Sequence, residues 1–410
     1  MRVSEDIMSI INAILECEDI REAVELYNRY SNDLKNCKFI TFSDEYGQEL
    51  PEYMINNDLE GFKINSLTSY KKMFVIDEDT CNQMIKTNRA NYFIDPCIAL
   101  DTQAVSYLTD LFNDKELEIN NKDKPIIDYI MKNEIDYDCS LYMWENSGKL
   151  NSIEEIEATY SNLLAIEHFK SLNKEAYIVR GEVQYDKTDS EIYISADSMI
   201  ADMKKISNNP DLEEFNRLYD VIKLIILKSA IIEFKYSKKG IRYKIELLMD
   251  FVNNQLGYIL EREIAICYLF LAHDKRVEKF LKKIKSNCYD IIKHINGMAW
   301  DLNHIRYIEY TMANYKPKKS IYEIYTLYSI ITFDYGLQEV LKTYPIKRCA
   351  IYDGTFLPVF EVPLHEFIKE IKDFKNSIYL KKETRENIRK TADYKLLIKN
   401  LENDLESLLK

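Results

Sequence analysis

Apolar positions along the chain recur with two different periods, and the changes between them mark the elements. Ile7, Ile10, Ile11 and Ile14, then Ala23, Leu26 and Tyr27, are spaced three and four residues apart, which predicts two helices over residues 4–35. Runs of β-branched and aromatic residues follow at Lys38–Phe42, Phe62–Ile64 and Met73–Ile76, separated by polar turns. Residues 1–90 therefore read as a small N-terminal helical and α+β region. From residue 91 the pattern changes. Phe93–Leu100 is a nearly continuous apolar run, as expected of a buried strand; Asp101-Thr102 closes it, and Ala104, Tyr107, Leu108 and Leu111 take up a helical period. A strand, an acid at its carboxyl end and then a helix is the layout in which α/β proteins place their sites.

Residues 114–255 are mostly helical in pattern and strongly charged, most clearly over Ile153–Ser171 and Leu212–Phe234. Within them, Ala176–Val183 and Glu191–Ser195 read as strands. Leu260–Ala272 predicts a helix with a nearly continuous apolar face. Val277–Ile295 predicts a basic amphipathic helix carrying Lys279, Lys282, Lys283 and Lys285, and Trp300-Asp301 reads as the opening of a further helix within Met298–Met312. Tyr325–Phe333 is a second apolar strand, and Asp334 follows it. Cys349–Val362 offers two short strands around an Asp353-Gly354 turn, and Tyr394–Leu409 a terminal helix with a leucine stripe. These readings give three regions: 1–90, 91–345 with a helical insertion at about 114–255, and 346–410.

Composition narrows the picture. With 9 Gly and 8 Pro in 410 residues, an all-β sandwich, which spends both on turns, is disfavoured against long helices. A net charge of −13 opposes coating of nucleic acid by the whole surface, but it is compatible with an acidic centre bridged to phosphate by a divalent ion. Residues 273–320 run against the overall balance, with eleven Lys and Arg and five Asp and Glu, so that this face can track a phosphate backbone or simply be solvated. Tyr307, Tyr310 and Tyr315 within it are candidates for base stacking or for ordinary packing. The eight cysteines form no C-x-x-C pair, which removes zinc-ribbon and thioredoxin readings and predicts reduced thiols in the cytoplasm. The opening MRVSEDIMSIINAILECED lacks the basic region and cleavage site of a signal peptide. Lys223 and Lys228 interrupt Ile222–Phe234, and Ile264–Ala272 has nine residues, so neither run predicts a membrane span. P-loop, dinucleotide-binding, zincin and nucleophile-elbow motifs are absent.

Four acids stand out as candidate chemistry. Asp101 and Asp334 each end an apolar strand, Asp301 follows Trp300 with His304 three residues on, and Glu263 sits at the polar start of an apolar helix. Each has an ordinary alternative as a cap or a solvated charge. If they converge, their mutual repulsion calls for a cation, and oxygen donors select Mg²⁺ or Mn²⁺, the ions of phosphodiester hydrolysis. The run from Ile98 through Asp101-Thr102 to Leu108 resembles the opening motif of PIN-domain ribonucleases. Ile331-Thr332-Phe333-Asp334-Tyr335-Gly336-Leu337 resembles their late motif, Trp300-Asp301-Leu302 the acid between, and Glu263 their helix-borne acid, with Glu261 and Glu233 as alternatives to it. The resemblance covers about 91–113 and 256–345. Asp101 and Glu263 stand 162 residues apart, far more than PIN domains use, with the helical insertion between them.

The resemblance implies an α/β fold, a PIN-like parallel sheet sandwiched by helices, and metal-dependent cleavage of RNA, with DNA as an alternative substrate. It makes Asp101, Glu263, Asp301 and Asp334 the catalytic and metal-binding residues, with Thr102 and Thr332 orienting them. A toxin-like or anti-phage role would suit such an enzyme. The competing expectation is a non-catalytic, mostly helical interaction or sensor module that binds a protein partner through residues 114–255.

Overall fold

The computed structural model describes residues 5–55, 58–59, 62–113, 125–207, 213–314, 324–371, 373–376 and 381–409. The fold is mixed α/β and mostly helical, with two sheets. The chain divides into two compact units. The first comprises Met1–Pro210, Ile308–Phe333 and Lys347–Pro358; the second comprises Asp211–Tyr307, Asp334–Ile346 and Val359–Lys410.

The first unit begins with α1 (Glu5–Glu16) and α2 (Ile20–Arg29), the latter capped by Asp19, which accepts from the Arg21 amide. Its strands are β1 (Cys37–Ser43), β2 (Gln48–Glu49), β3 (Asp58–Leu59), β4 (Phe62–Ser66), β5 (Lys72–Ile76), β6 (Phe93–Leu100), β7 (Asp136–Asp138), β8 (Ile324–Thr332), β9 (Ile346–Tyr352) from Lys347 on and β10 (Thr355–Phe360) up to Pro358. One sheet has the order β10-β9-β1-β5-β2, with β1 antiparallel to both β5 and β9. Asp353 and Gly354, at φ of 49° and 73°, join β9 to β10 in the positive-φ conformation that an Asp-Gly turn provides.

The second sheet has the order β3-β4-β8-β6-β7. β6 runs parallel to both of its neighbours, β8 and β7, while β4 is antiparallel to β8. This pairing explains why Phe93–Leu100 is an apolar run rather than an alternation: a parallel strand with neighbours on both sides is covered on both faces. Burial deepens along it, from the half-exposed Phe93 to the fully buried Ile98, Ala99 and Leu100. The helices that cover the sheet are α4 (Thr102–Asn113), α5 (Pro125–Asn133), α6 (Ser140–Asn146), α7 (Ile153–Ser171) and α8 (Asp189–Ser207), and α3 (Glu78–Thr87) follows β5. Leu100, Val105, Leu108, Ile126, Leu163 and Ile331 meet in one core. Each such side chain contributes about 1.5–3 kcal/mol by leaving water. Ser152 and Glu155 form a capping box at the start of α7, and α7 begins there as its periodicity predicts.

Two expected strands are not strands. Ala176–Arg180 is a turn of π-helix ended by Gly181 at φ 68°, and residues 191–195 lie inside α8. β-branched residues suggest extended chain in both places, but local hydrogen bonds decide otherwise. The Glu191 carboxylate accepts from the Thr188 amide and hydroxyl, and the Glu191 amide donates back to Thr188 Oγ1, which starts a helix.

The second unit is helical: α9 (Glu213–Lys235), α10 (Ile241–Phe251), α11 (Glu261–Leu271), α12 (Glu278–Leu281), α13 (Ile291–Asn314) up to Tyr307, α14 (Tyr335–Thr343), α15 (Leu364–Phe367), α16 (Lys382–Thr391) and α17 (Tyr394–Leu409). α9 packs against α10, α11 and α17, so it is apolar around most of its girth, with Val221, Ile222, Leu224, Ile225 and Leu227 fully buried. Among the described residues, no helix is long and apolar enough to cross a membrane. The basic helix expected over Val277–Ile295 is broken: α12 ends at Leu281, and α13 starts at Ile291. Leu212 and Tyr315, and residues 114–124 of the expected insertion, lie outside the described residues.

Candidate functional site at the carboxyl edge of the mixed sheet

The three parallel strands of the mixed sheet send their carboxyl ends to one edge. β6 delivers Asp101 there. The Asp101 amide donates to the Ile331 carbonyl of β8, extending the ladder by one residue, and its carboxylate accepts from the Ala104 amide at 2.7 Å. Asp101 is thus both the end of the strand and the cap of α4, and it is only 5% exposed. β7 ends in Asp138, whose Oδ1 accepts from the Ser140 amide at 2.8 Å and from the Ser140 hydroxyl at 2.5 Å, opening α6. α6 packs on β6 and α4, and from it Glu145 accepts a hydrogen bond from the Thr102 hydroxyl. Thr332, fully buried, ends β8.

This edge therefore gathers Asp101, Asp138, Glu145, Thr102 and Thr332. The N-terminal end of α4, with the positive end of its dipole, faces the Asp101 carboxylate. Asp138 and Glu145 are additions to the acids singled out in the sequence. Asp138 carried a faint signal, an acid at the end of Asp136–Asp138 with a helix start behind it. Glu145 carried none, because only the packing of α6 brings it beside Thr102.

Asp101 belongs to the first unit, whereas Glu263, Asp301 and Asp334 belong to the second. Asp334 caps α14, accepting from the amides of Gly336 at 2.6 Å and Leu337 at 3.1 Å. Gly336 is required there by close approach, since a Cβ would meet the Phe280 backbone at 2.6 Å. Glu263 is fully buried in α11, and Arg306 of α13 grips both its oxygens, with Nε at 2.9 Å from Oε1 and the terminal nitrogen at 2.5 Å from Oε2. Asp301 lies half-buried in the middle of α13 rather than at a helix start, because that helix begins ten residues earlier, at Ile291. The alternative acid Glu261 accepts from the Tyr344 hydroxyl at 3.4 Å, and burial raises its pKa above the usual glutamate value. Glu233 is paired with the buried Lys244 at 2.8 Å. His304 is buried, its ring 6.3 Å from that of Trp300, which in turn packs on Tyr219. Tyr310 is 39% exposed and Tyr307 half-buried.

The donors at the sheet edge are carboxylate and hydroxyl oxygens, the set that a hard divalent cation takes. Among the described residues, no group of three or more His, Cys, Asp and Glu side chains is arranged to hold a metal ion. In comparisons with known proteins, no family model, no curated protein and no solved structure matches the chain.

Proposed function

We propose that the chain is a PIN-like, divalent-metal-dependent nuclease that hydrolyses phosphodiester bonds in RNA, with Asp101 as its anchoring carboxylate. One observation carries the reading: Asp101 is a buried acid at the carboxyl end of the central parallel strand, with Asp138 and Glu145 on the same edge. A carboxylate at such an edge is the kind of oxygen donor that a hard divalent cation takes. Mg²⁺ or Mn²⁺ is the proposed ion, with Asp101 as its proposed ligand in the first unit. When bound, the ion would supply charge stabilisation at the scissile phosphate and an acidified water. The chain's own residues fix orientation. The Ala104 amide holds the Asp101 carboxylate, and the Thr102 hydroxyl holds Glu145. The proposed setting is the cytoplasm, where the eight free thiols stay reduced, and the proposed role is toxin-like or in anti-phage defence.

Calorimetry with Mn²⁺ on the wild type, Asp101→Asn and Asp334→Asn tests the reading, followed by RNA cleavage. The expected result is binding by the wild type that Asp101→Asn abolishes, with cleavage lost in parallel. Undiminished binding by folded Asp101→Asn removes Asp101 from the centre.

A second reading, a non-catalytic helical module that binds a protein partner, is favoured by a specific observation. Arg306 already occupies both oxygens of Glu263, and Asp101 and Asp334 both cap helices. Failure of the folded wild type to bind Mn²⁺ transfers the weight to this reading.

A further inference from the structure

The segment between α11 and α13 concentrates positive charge in an otherwise acidic chain. Residues 275–285 contain Lys275, Arg276, Lys279, Lys282, Lys283 and Lys285 against the single acid Glu278. All six cations are exposed. Arg276 is matched by Asp274 at 2.8 and 2.9 Å. Among the described residues, none of the five lysines has an ion-pair partner. The apolar residues between them, Val277, Phe280, Leu281 and Ile284, are all buried, so the segment is pinned to its unit and the lysines project from a fixed base. The close contact of the Phe280 backbone with Gly336 of α14 sets that base.

Just beyond the lysines stands Tyr289, 98% exposed. It lies on a groove of about 760 Å³ whose lining also includes Asn287, Lys293, Asp290 and Glu406. An aromatic ring held in water, about four residues along the chain from the last of these lysines, suits a chain of stacked bases on a phosphate backbone. An anionic membrane suits it less, because an interfacial segment presents its apolar residues outward, and here they face inward.

We propose that the ridge Lys279–Lys285, together with Tyr289, is a docking surface for single-stranded RNA. The choice of RNA rests on the nuclease reading above. The lysines supply sequence-independent phosphate contacts, and Tyr289 supplies a stacking platform.

The test is fluorescence anisotropy of a labelled, unstructured RNA oligonucleotide against the full chain in EDTA, over a KCl titration. The variants are Lys279→Gln/Lys282→Gln/Lys283→Gln/Lys285→Gln and Tyr289→Ala. These positions are exposed, and circular dichroism checks that the fold is kept. Loss of four phosphate contacts is expected to reduce the slope of log K against log salt by about 2.8, at about 0.7 per contact. Tyr289→Ala is expected to weaken binding about tenfold with the slope unchanged. Equal affinity and slope in the quadruple variant overturn the proposal, as does wild-type binding to phosphatidylglycerol vesicles but not to RNA. The two readings fail separately. Salt-dependent RNA binding without cleavage in Mn²⁺ keeps the ridge and removes the nuclease. Cleavage with KM unchanged in the quadruple variant keeps the nuclease and removes the ridge.

Discussion

Asp101 and Glu263 are both carboxylates withdrawn from water, and they are satisfied in opposite ways. Asp101 accepts from the Ala104 amide at the start of α4, where peptide dipoles favour an acid. Glu263 is held by a guanidinium, two nitrogens on two oxygens, so its charge is cancelled by a full countercharge. A divalent ion at the first carboxylate would share it with the Ala104 amide. At the second it must compete with Arg306. Burial of an acid is therefore no guide to a metal site by itself; what matters is whether its partner is a dipole or an ion.

The largest effect that this contrast predicts is at Arg306. Arg306→Met leaves Glu263 charged, buried and unpaired, and should cost about 3–5 kcal/mol of stability, read as a lower urea midpoint. Adding Glu263→Met should recover most of the loss, since removing both charges removes the penalty. A cost below about 1 kcal/mol for Arg306→Met would mean that Glu263 does not depend on its arginine, and the contrast with Asp101 would collapse.

Asp101 should behave more mildly in stability and more sharply in function. Asp101→Ala removes a helix cap and should cost about 1 kcal/mol. Asp101→Asn keeps a cap of equal rank and should cost only a few tenths, while removing the charge. Thermal unfolding of the two variants beside Mn²⁺ calorimetry separates the roles. If Asp101→Asn is as stable as wild type and still binds Mn²⁺, the acid is a cap and nothing more.

Much of this arrangement was legible in the sequence where the signal is local. Phe93–Leu100, Asp101 and the helix after it are found where the apolar run, the capping acid and the new period place them. Asp334 at the end of β8 follows the same grammar. The failures come where two local signals compete. The β-branched character of Ala176–Val183 and Glu191–Ser195 suggested strands, while the Thr188–Glu191 capping box was the better guide. Over Val277–Ile295 the apolar spacing favours one helix, but the chain leaves the helix after Leu281 and re-enters it only at Ile291. That break also moved Asp301 from a helix start to a helix middle. The bond from Thr102 to Glu145 and the grip of Arg306 on Glu263 span more than forty residues each, and no periodicity carries such information.

Glu261 sharpens the comparison with the smallest expected effect, because it has neither Asp101's capping amide nor Glu263's guanidinium grip. Burial is the chief influence and raises its pKa; the Tyr344 hydroxyl, the Leu364 amide and the charge of Arg306 pull it part of the way back down. A raised native pKa means that the folded chain keeps this proton to higher pH than the unfolded chain does. Between the ordinary value of 4.5 and the raised one, the native state binds more protons, so this group's contribution to stability falls as pH rises through that window. Glu261→Gln cannot ionise and keeps a hydrogen-bonding oxygen for Tyr344. Its stability relative to wild type should therefore climb from pH 4 toward neutrality and then level off, measured by urea unfolding at each pH. A flat difference, or one that falls with pH, would mean that dipoles hold Glu261 charged in the fold.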